Sequence, residues 1–496
     1  MRFTVLGAAA LASLAAAAPA AEPPKAELLA AVEKQLKAAH EKAGPCVACV
    51  VVSRSDRYPK AAADPQRPGR LGDFKPREFL KAHPAEELLA RQLDLSDPRS
   101  IADNGYACGV VIDPAGVVLT PYHVLEGATK VYVHLQGGTG SYADVHAADA
   151  RHDLATLKLI TPPEKLQAVK FADVRLRAAA GEKPTVYPGK LAVLVAHSYA
   201  GGFAVDKPSV ALGSVTNVLQ HRLLTPEEEK EVGQKKSDSY YNFGPLLEHD
   251  AKVNLGIDGA ALLNLDGEVI GLATSTAAVT GDRSPHYAFP ADGNFRRIVE
   301  VLRRGEEVEY GLLGITLSPQ QSPVTVGMVT QHSAAELARL RAGDEITHVN
   351  GTPIRRYEEL LSNIGSALAG TEVTLTVRRG NGRERPWDVA VTLGKFDNKQ
   401  PFIASVRPEP VFGLRVDFGI PTVGVYVREL AENSPAAAAF KKLGDPGDEW
   451  VVTRVDGKPV ATPAAFYAAA KGKKSVTLTV KDRANINGRG HEVNLP

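Results

Sequence analysis

Cysteine, methionine and tryptophan are nearly absent from this chain, which holds three, two and two of them among 496 residues. Three thiols, Cys46, Cys49 and Cys108, cannot all pair within one molecule, so a disulfide-stapled framework is excluded and at most one bridge can form. Cys46 and Cys49 have the two-residue spacing of redox and zinc motifs, but they lie in the apolar, β-branched run PCVACVVVS. Strand alternation sends them to opposite faces there, which points to buried structural thiols and not to a metal site. No metal and no cofactor are expected. Charge of one sign is lacking too: 58 Lys and Arg against 57 Asp and Glu leave a formal net charge of +1. No dense Lys/Arg stripe with interleaved aromatics is present either. Nucleic acid and acidic membrane surfaces are thereby excluded as expected partners. Beyond the first 22 residues no apolar run is long enough to span a bilayer.

What is present at the start is Met1-Arg2 followed by FTVLGAAALASLAAAAPAAEPP, a basic start, an apolar run and small residues at Ala18-Pro19-Ala20. Residues 1–22 read as a signal peptide, so the protein is expected to be exported, periplasmic or extracellular. An uncleaved leader is the alternative and the one route to a membrane; its alanine-rich run approaches the roughly 20 residues of a spanning helix but is weakly hydrophobic. The rest, 44% apolar and 23% charged overall, can bury several cores, about three domains at roughly 150 residues each.

Within an N-terminal segment 23–44, Ala26 to Lys42 carries apolar residues at helical spacing, and Cys46 to Ser53 reads as a strand. Residues 54–105 are polar, proline-bearing and partly helical (PREFLKAHPAEELLARQL), an insertion outside the core. From Cys108 to Asp292 short β-branched runs alternate with Gly, Pro and Asp turns, the pattern of an antiparallel barrel or sandwich; Phe295 to Arg304 reads as a closing helix. The last third repeats itself. TVGMV at Thr325 returns as TVGVY at Thr422, THVNG at Thr347 as TRVDG at Thr453, and VTLTV at Val373 as VTLTV at Val476. Two copies of one small domain, on either side of the polar linker GKFDNKQPFIASVRPEP, account for this.

CGVVIDPAGVVLTPYHVLEGA, then RHDLATLKL, then HDAKVNLGIDGAALLNLDGEVIGL, then YAFP run in the order of the HtrA (DegP-like) branch of trypsin-like serine proteases, which the chain resembles over about 45 to 292. The resemblance implies a mainly β molecule: a two-lobed trypsin-like antiparallel β-barrel domain over 45–305 with the insertion 54–105, followed by two PDZ domains, 308–395 and 409–496, joined by a linker at 396–408. It places a general base at His123, an orienting carboxylate at Asp153, and oxyanion-holding amides at Gly256 and Asp258. In the PDZ copies the terminal-carboxylate loops fall at Leu312, Leu313, Gly314 and Ile315, and at Phe412, Gly413 and Leu414. Protein or peptide ligands, above all C-terminal segments, are the implied partners. A homo-oligomer is compatible with the resemblance, although trimer contacts in such proteases lie in the N-terminal part of the barrel, where this chain is least typical.

One departure matters most. The family's nucleophile loop reads Gly-Asn-Ser-Gly-Gly-Pro, and this chain has Gly256-Ile257-Asp258-Gly259-Ala260-Ala261. The serine hydroxyl attacks, histidine takes its proton and adjacent amides hold the oxyanion. A carboxylate has no hydroxyl to offer, should raise the His123 pKa, and competes with the oxyanion for the same amides. Losing one triad member lowers turnover by roughly 10⁴ to 10⁶ fold. The expectation is a degenerate triad of His123, Asp153 and Asp258 in a peptide-binding or chaperone-like protein of protein quality control. The alternative is an active endopeptidase with an unorthodox nucleophile, but attack by a carboxylate on a peptide would give a mixed anhydride, a poor intermediate for amide cleavage. A divalent ion held by His123, Asp153 and Asp258 lacks a fourth ligand in the sequence. Ser198 and Ser275 lie at strand ends, and no motif marks either as a relocated nucleophile.

Overall fold

The computed structural model describes residues 25–54, 95, 105–176, 183–197, 208–220, 244–253, 257–274, 286–318, 323–380, 384–396, 403–444 and 450–496. The expected signal peptide, nearly all of the insertion, Gly256, Ser198 and Ser275 lie outside these residues. Among the described residues no helix is long and apolar enough to cross a membrane.

Helix α1 (Lys25–Ala43) leads into strand β1 (Val47–Ser53), whose seven residues are all buried. A continuous apolar run suits a strand covered on both faces: Ala48, Val50 and Val52 pack into one core, while Cys49 and Val51 pack into another with Leu95. Around β1 are β2 (Tyr106–Asp113), β3 (Val117–Pro121), β4 (Lys130–Leu135), β5 (Thr139–Asp149) and β6 (Leu154–Leu159), in the order β5-β4-β1-β2-β3-β6, and β5 pairs with β6 to close the barrel. A one-turn helix α2 (Tyr122–Leu125) follows β3. The second barrel is built from β7 (Leu191–Ala196), β8 (Ser209–Gln220), β9 (Pro245–His249), β10 (Ala261–Leu263), β11 (Val269–Thr274) and β12 (His286–Pro290), closed in the order β10-β11-β12-β9-β8-β7. Closure removes the free edges that strands so rich in Val, Leu and Ala would otherwise expose.

Helix α3 (Gly293–Arg303) ends this unit. Asp292 caps it, its Oδ1 accepting from the amides of Asn294 at 3.0 Å and Phe295 at 2.9 Å, and Phe295, Ile298, Val299 and Leu302 enter the core.

The repeated segments fold alike. The first holds β13 (Gly311–Leu312), β14 (Ile315–Leu317), β15 (Val326–Val329), α4 (Ala334–Leu337), β16 (Glu345–Val349), β17 (Thr352–Pro353), α5 (Tyr357–Gly365), β18 (Glu372–Arg378), β19 (Trp387–Thr392) and β20 (Gly394–Lys395). After β21 (Ile403–Ala404), the second holds β22 (Leu414–Phe418), β23 (Val425–Leu430), α6 (Pro435–Lys441), β24 (Trp450–Val455), β25 (Lys458–Pro459), α7 (Pro463–Ala470), β26 (Val476–Asp482) and β27 (His491–Leu495). From β14 to β19 and from β22 to β27 the elements follow in the same order, β20 being an addition of the first copy, and each copy has its own apolar core. The linker is not merely a spacer. Ile403 and Ala404 pair with Ala148 and Ala147 of β5, so the end of β5 lies between β6 and β21 and stitches the linker to the first barrel.

Candidate active site

Three segments meet where the two barrels touch, at the hydrogen bond between Cys108 of β2 and Asp258. Pro121 ends β3 in an extended conformation, and α2 then lifts His123 out of the sheet. Asp153 sits in the turn between β5 and β6 with φ 52, a left-handed conformation that aspartate tolerates better than most residues. That turn aims its carboxylate at the histidine. Asp153 Oδ2 lies 2.7 Å from His123 Nδ1, its Oδ1 accepts from the His123 amide at 2.7 Å, and its carbonyl accepts from the Tyr122 amide at 3.0 Å.

Asp258 arrives from the loop before β10. Its carbonyl accepts from the Cys108 amide at 2.6 Å, and the next residue, Gly259, donates to Ala273 at 2.8 Å. Gly259 has φ 79, and a Cβ there would stand 2.1 Å from the Cys108 carbonyl oxygen, so only glycine lets this loop press against β2. The result is that Asp258 Oδ2 lies 3.9 Å from His123 Nε2. This is ion-pair distance and too long for a hydrogen bond. The carboxylates of Asp153 and Asp258 thus flank the two ring nitrogens, with 36% of the His123 side chain exposed against 6% for Asp153 and 23% for Asp258.

The hydrogen bond that the His123 imidazole donates to Asp153 holds it above its ordinary pKa; burial works against this, and the charges of Asp153 and Asp258 add to the rise. The structure therefore brings His123, Asp153 and Asp258 together, while Gly256 lies outside the described residues. Among the described residues no cluster of three or more His, Cys, Asp or Glu side chains is arranged to hold a metal ion.

A buried polar network behind Asp153 escaped the sequence reading. His152 Nδ1 lies 3.1 Å from Asp149 Oδ2, Tyr310 hydrogen-bonds both residues through its hydroxyl, and its ring stacks on that of His152 at 5.2 Å. Arg151 lies over the rings of Tyr310 at 4.6 Å and Phe396 at 4.9 Å. The turn that carries Asp153 is thereby fastened to the start of the first repeat at Tyr310 and to Phe396, the residue just after β20. RHD showed a histidine beside the acid, but nothing local could announce a tyrosine so far along the chain.

In the first repeat, Leu313 and Gly314 connect β13 to β14; their carbonyls accept from the amides of Ala335 and Thr330. In the second, Phe412 and Gly413 make the corresponding bonds to Ala436 and Ala431, so the two loops are equivalent in backbone path.

Comparison with known proteins agrees with this layout. Residues 107–272 match the family model of a trypsin-like peptidase domain, and residues 311–391 match that of a PDZ domain. A probable periplasmic serine protease do/HhoA-like of Haemophilus influenzae is 31% identical over 69% of this chain and 69% of its own length. The periplasmic pH-dependent serine endoprotease DegQ of Escherichia coli is 29% identical over 71% of this chain and 73% of its own. A solved structure of the serine endoprotease from Yersinia pestis aligns at 20% identity and a TM-score of 0.41, covering 73% of this chain and 98% of that one.

Proposed function

Because the chain belongs to the HtrA/DegP family of periplasmic serine proteases, with a trypsin-like domain followed by a PDZ domain, we propose that it is an exported member that has lost peptide hydrolysis and retained the binding of peptide C-termini and unfolded segments. The observation that carries this reading is the Asp258 carboxylate 3.9 Å from His123 Nε2; the resemblance of the loop Gly256–Ala261 to Gly-Asn-Ser-Gly-Gly-Pro supports taking this position as that of the family's serine. An imidazole held above its ordinary pKa between two carboxylates is a poor general base, and Asp258 offers no hydroxyl for it to activate. An anion beside the oxyanion position also opposes the charge that develops in acyl transfer. Export is supported by the leader-like residues 1–22 and by the periplasmic location in the relatives' names.

Binding falls to the first repeat. Its loop Leu312-Leu313-Gly314-Ile315 leads directly into β14, so a peptide could add to that strand's edge and set its terminal carboxylate on the loop amides. Two assays test the proposal. The full chain should leave unfolded casein intact; cleavage by the wild type that Asp258→Ala abolishes would overturn the inert reading and make Asp258 a working nucleophile. A fluorescent peptide with a free hydrophobic C-terminus should bind, and its C-terminal amide should not. Equal affinity for the two forms would remove the loop from the recognition of the carboxylate.

A further inference from the structure

The two repeats share their topology but not the state of their grooves. In such a domain a ligand strand lies between the first long strand and the second helix, which are β14 and α5 in the first copy and β22 and α7 in the second. In the second copy the amides of Leu414 and Val416, on the strand that a ligand would join, are already engaged. Val411 and Leu414 exchange reciprocal backbone bonds of 3.0 and 2.9 Å, which ties the carboxylate loop to itself. The Val416 amide donates to Tyr467 Oη of α7 at 3.3 Å, and Arg415 Nε donates to the Pro408 carbonyl at 3.0 Å. A cavity of about 200 Å³ there is lined by Val416 and Tyr467 together with Glu306, Glu309 and Arg407. That is below the roughly 300 to 1,000 Å³ of ordinary ligand sites.

The outer wall is held by charge. Arg428 of β23 lies 2.7 Å from Glu307 and 2.9 Å from Asp417 of β22; Lys395 of β20 lies 2.5 Å from Asp417 and 3.1 Å from Glu309. Glu307 and Glu309 belong to the segment joining α3 to the first repeat, and Lys395 ends that repeat. Three parts of the chain therefore meet in one ion cluster, each charge half-buried or better and faced by opposite charge.

Among the described residues the first copy shows neither the bond from strand to helix nor the bridge across the loop. Counted from the residues that cap the two helices, Arg356 and Thr462, the position of Tyr467 is taken by Leu361, which has no hydroxyl to accept from a strand amide. Among the described residues no isolated bridge joins Leu312 to Ile315, and Leu312 pairs instead with Gly394.

We infer that the second repeat is an intramolecular clamp, its groove closed by Tyr467 and its face held through Arg428, Asp417 and Lys395 to the segment Glu306–Glu309 between barrel and first repeat. It departs from the expectation that both copies receive peptides, and it stands without the proposal for the first groove.

Hydrogen exchange of the full chain, read by mass spectrometry, tests it. Tyr467→Phe keeps the ring and removes the acceptor, and should speed exchange over 414–418 by about two- to tenfold, the worth of one net hydrogen bond. Arg428→Gln should speed exchange over both 306–309 and 414–418, with 476–480 in the core strand β26 unchanged. Wild-type rates over both segments in both variants would overturn the clamp. If Arg428→Gln also loosens 476–480, the domain has unfolded and Tyr467→Phe decides alone. Calorimetric titration with the free-acid peptide adds a second readout: one site per chain in the wild type and two in the Tyr467→Phe, Arg428→Gln double variant support the clamp, and two in the wild type refute it. No binding in either protein would count against the first groove and leave the clamp to the exchange result.

Discussion

Two aspartates around one imidazole make His123 the residue whose protonation reports on the site. Its raised pKa means that the folded state binds this proton more tightly than the unfolded chain, whose histidine titrates near 6.5. The stabilisation from the charged cluster is thus complete below about pH 6.5 and lost as pH rises through the folded value. A histidine-resolved NMR titration should place His123 above 6.5 or so, and Asp258→Asn should lower it by removing one of the flanking charges; a value unmoved by that substitution would mean that the 3.9 Å contact carries no charge interaction. Restoring a hydroxyl is a second matter. Asp258→Ser alone is expected to recover little casein cleavage, because Ile257, Ala260 and Ala261 also depart from Gly-Asn-Ser-Gly-Gly-Pro, and Ala260 and Ala261 are fully buried. A shift of even about 1 Å in the loop can cost on the order of 100-fold in rate. The comparison is with the fourfold variant Ile257→Asn, Asp258→Ser, Ala260→Gly, Ala261→Pro; strong cleavage by the single variant would show that the loop has kept its active path.

Element by element, the sequence was most readable where the pattern is local. The helix expected at Ala26–Lys42 is Lys25–Ala43, the strand expected at Cys46–Ser53 is Val47–Ser53, and the closing helix expected at Phe295–Arg304 is Gly293–Arg303. The repeats were legible as paired motifs because β16 and β24, β18 and β26 reuse the same residues in the same register; TVGMV and TVGVY do not superpose, since Val329 and Leu430 take the same place opposite Ile315 and Leu414. The linker misled, since its prolines and polar residues gave no sign that Ile403 and Ala404 add a strand to β5. The loop before β14 offers a sharp test of element geometry. Gly314 has φ 78, and a Cβ there would lie 2.2 Å from the Ser333 Cβ. Gly314→Ala should therefore cost about 1 to 3 kcal/mol in thermal or urea unfolding of the first repeat and weaken the free-acid peptide by at least roughly tenfold. A variant as stable and as tight as the wild type would show that the loop is not under this steric constraint.

At the scale of the whole molecule, the ion cluster between the repeats makes the assembly pH-sensitive. Burial pushes the Glu309 carboxyl up to about 7; Lys395 opposes the rise and Asp417 adds to it, with Glu307 and Arg428 completing the surroundings. Because the folded pKa is raised, the contribution of Glu309 protonation is present in full below about pH 4.3, the ordinary glutamate value, and is lost as pH rises through about 7, while the pairs of Arg428 with Glu307 and Asp417 and of Lys395 with Asp417 persist. Exchange protection over 306–309, corrected for intrinsic rates, should therefore be greater at about pH 6 than at about pH 8. Glu309→Gln, which cannot ionise, should remove the difference. Persistence of the same pH dependence in that variant would assign it to another group.

The sequence by itself determined the antiparallel strand run between Cys108 and Asp292 and the repeat in the last third, because turns, apolar alternation and repeated motifs act on near neighbours; the resemblance to HtrA-like proteases, not periodicity, implied two barrels and pointed to His123, Asp153 and Asp258. Tertiary structure decided what those residues meet. The 3.9 Å between Asp258 and His123, the seat of Tyr310 behind the acid turn, and the cluster of Glu307, Glu309, Lys395, Asp417 and Arg428 all join segments far apart in the chain. Charge and hydroxyl groups carry no periodic signal of their own, so their partners become visible only once the cores have fixed the strands and helices around them.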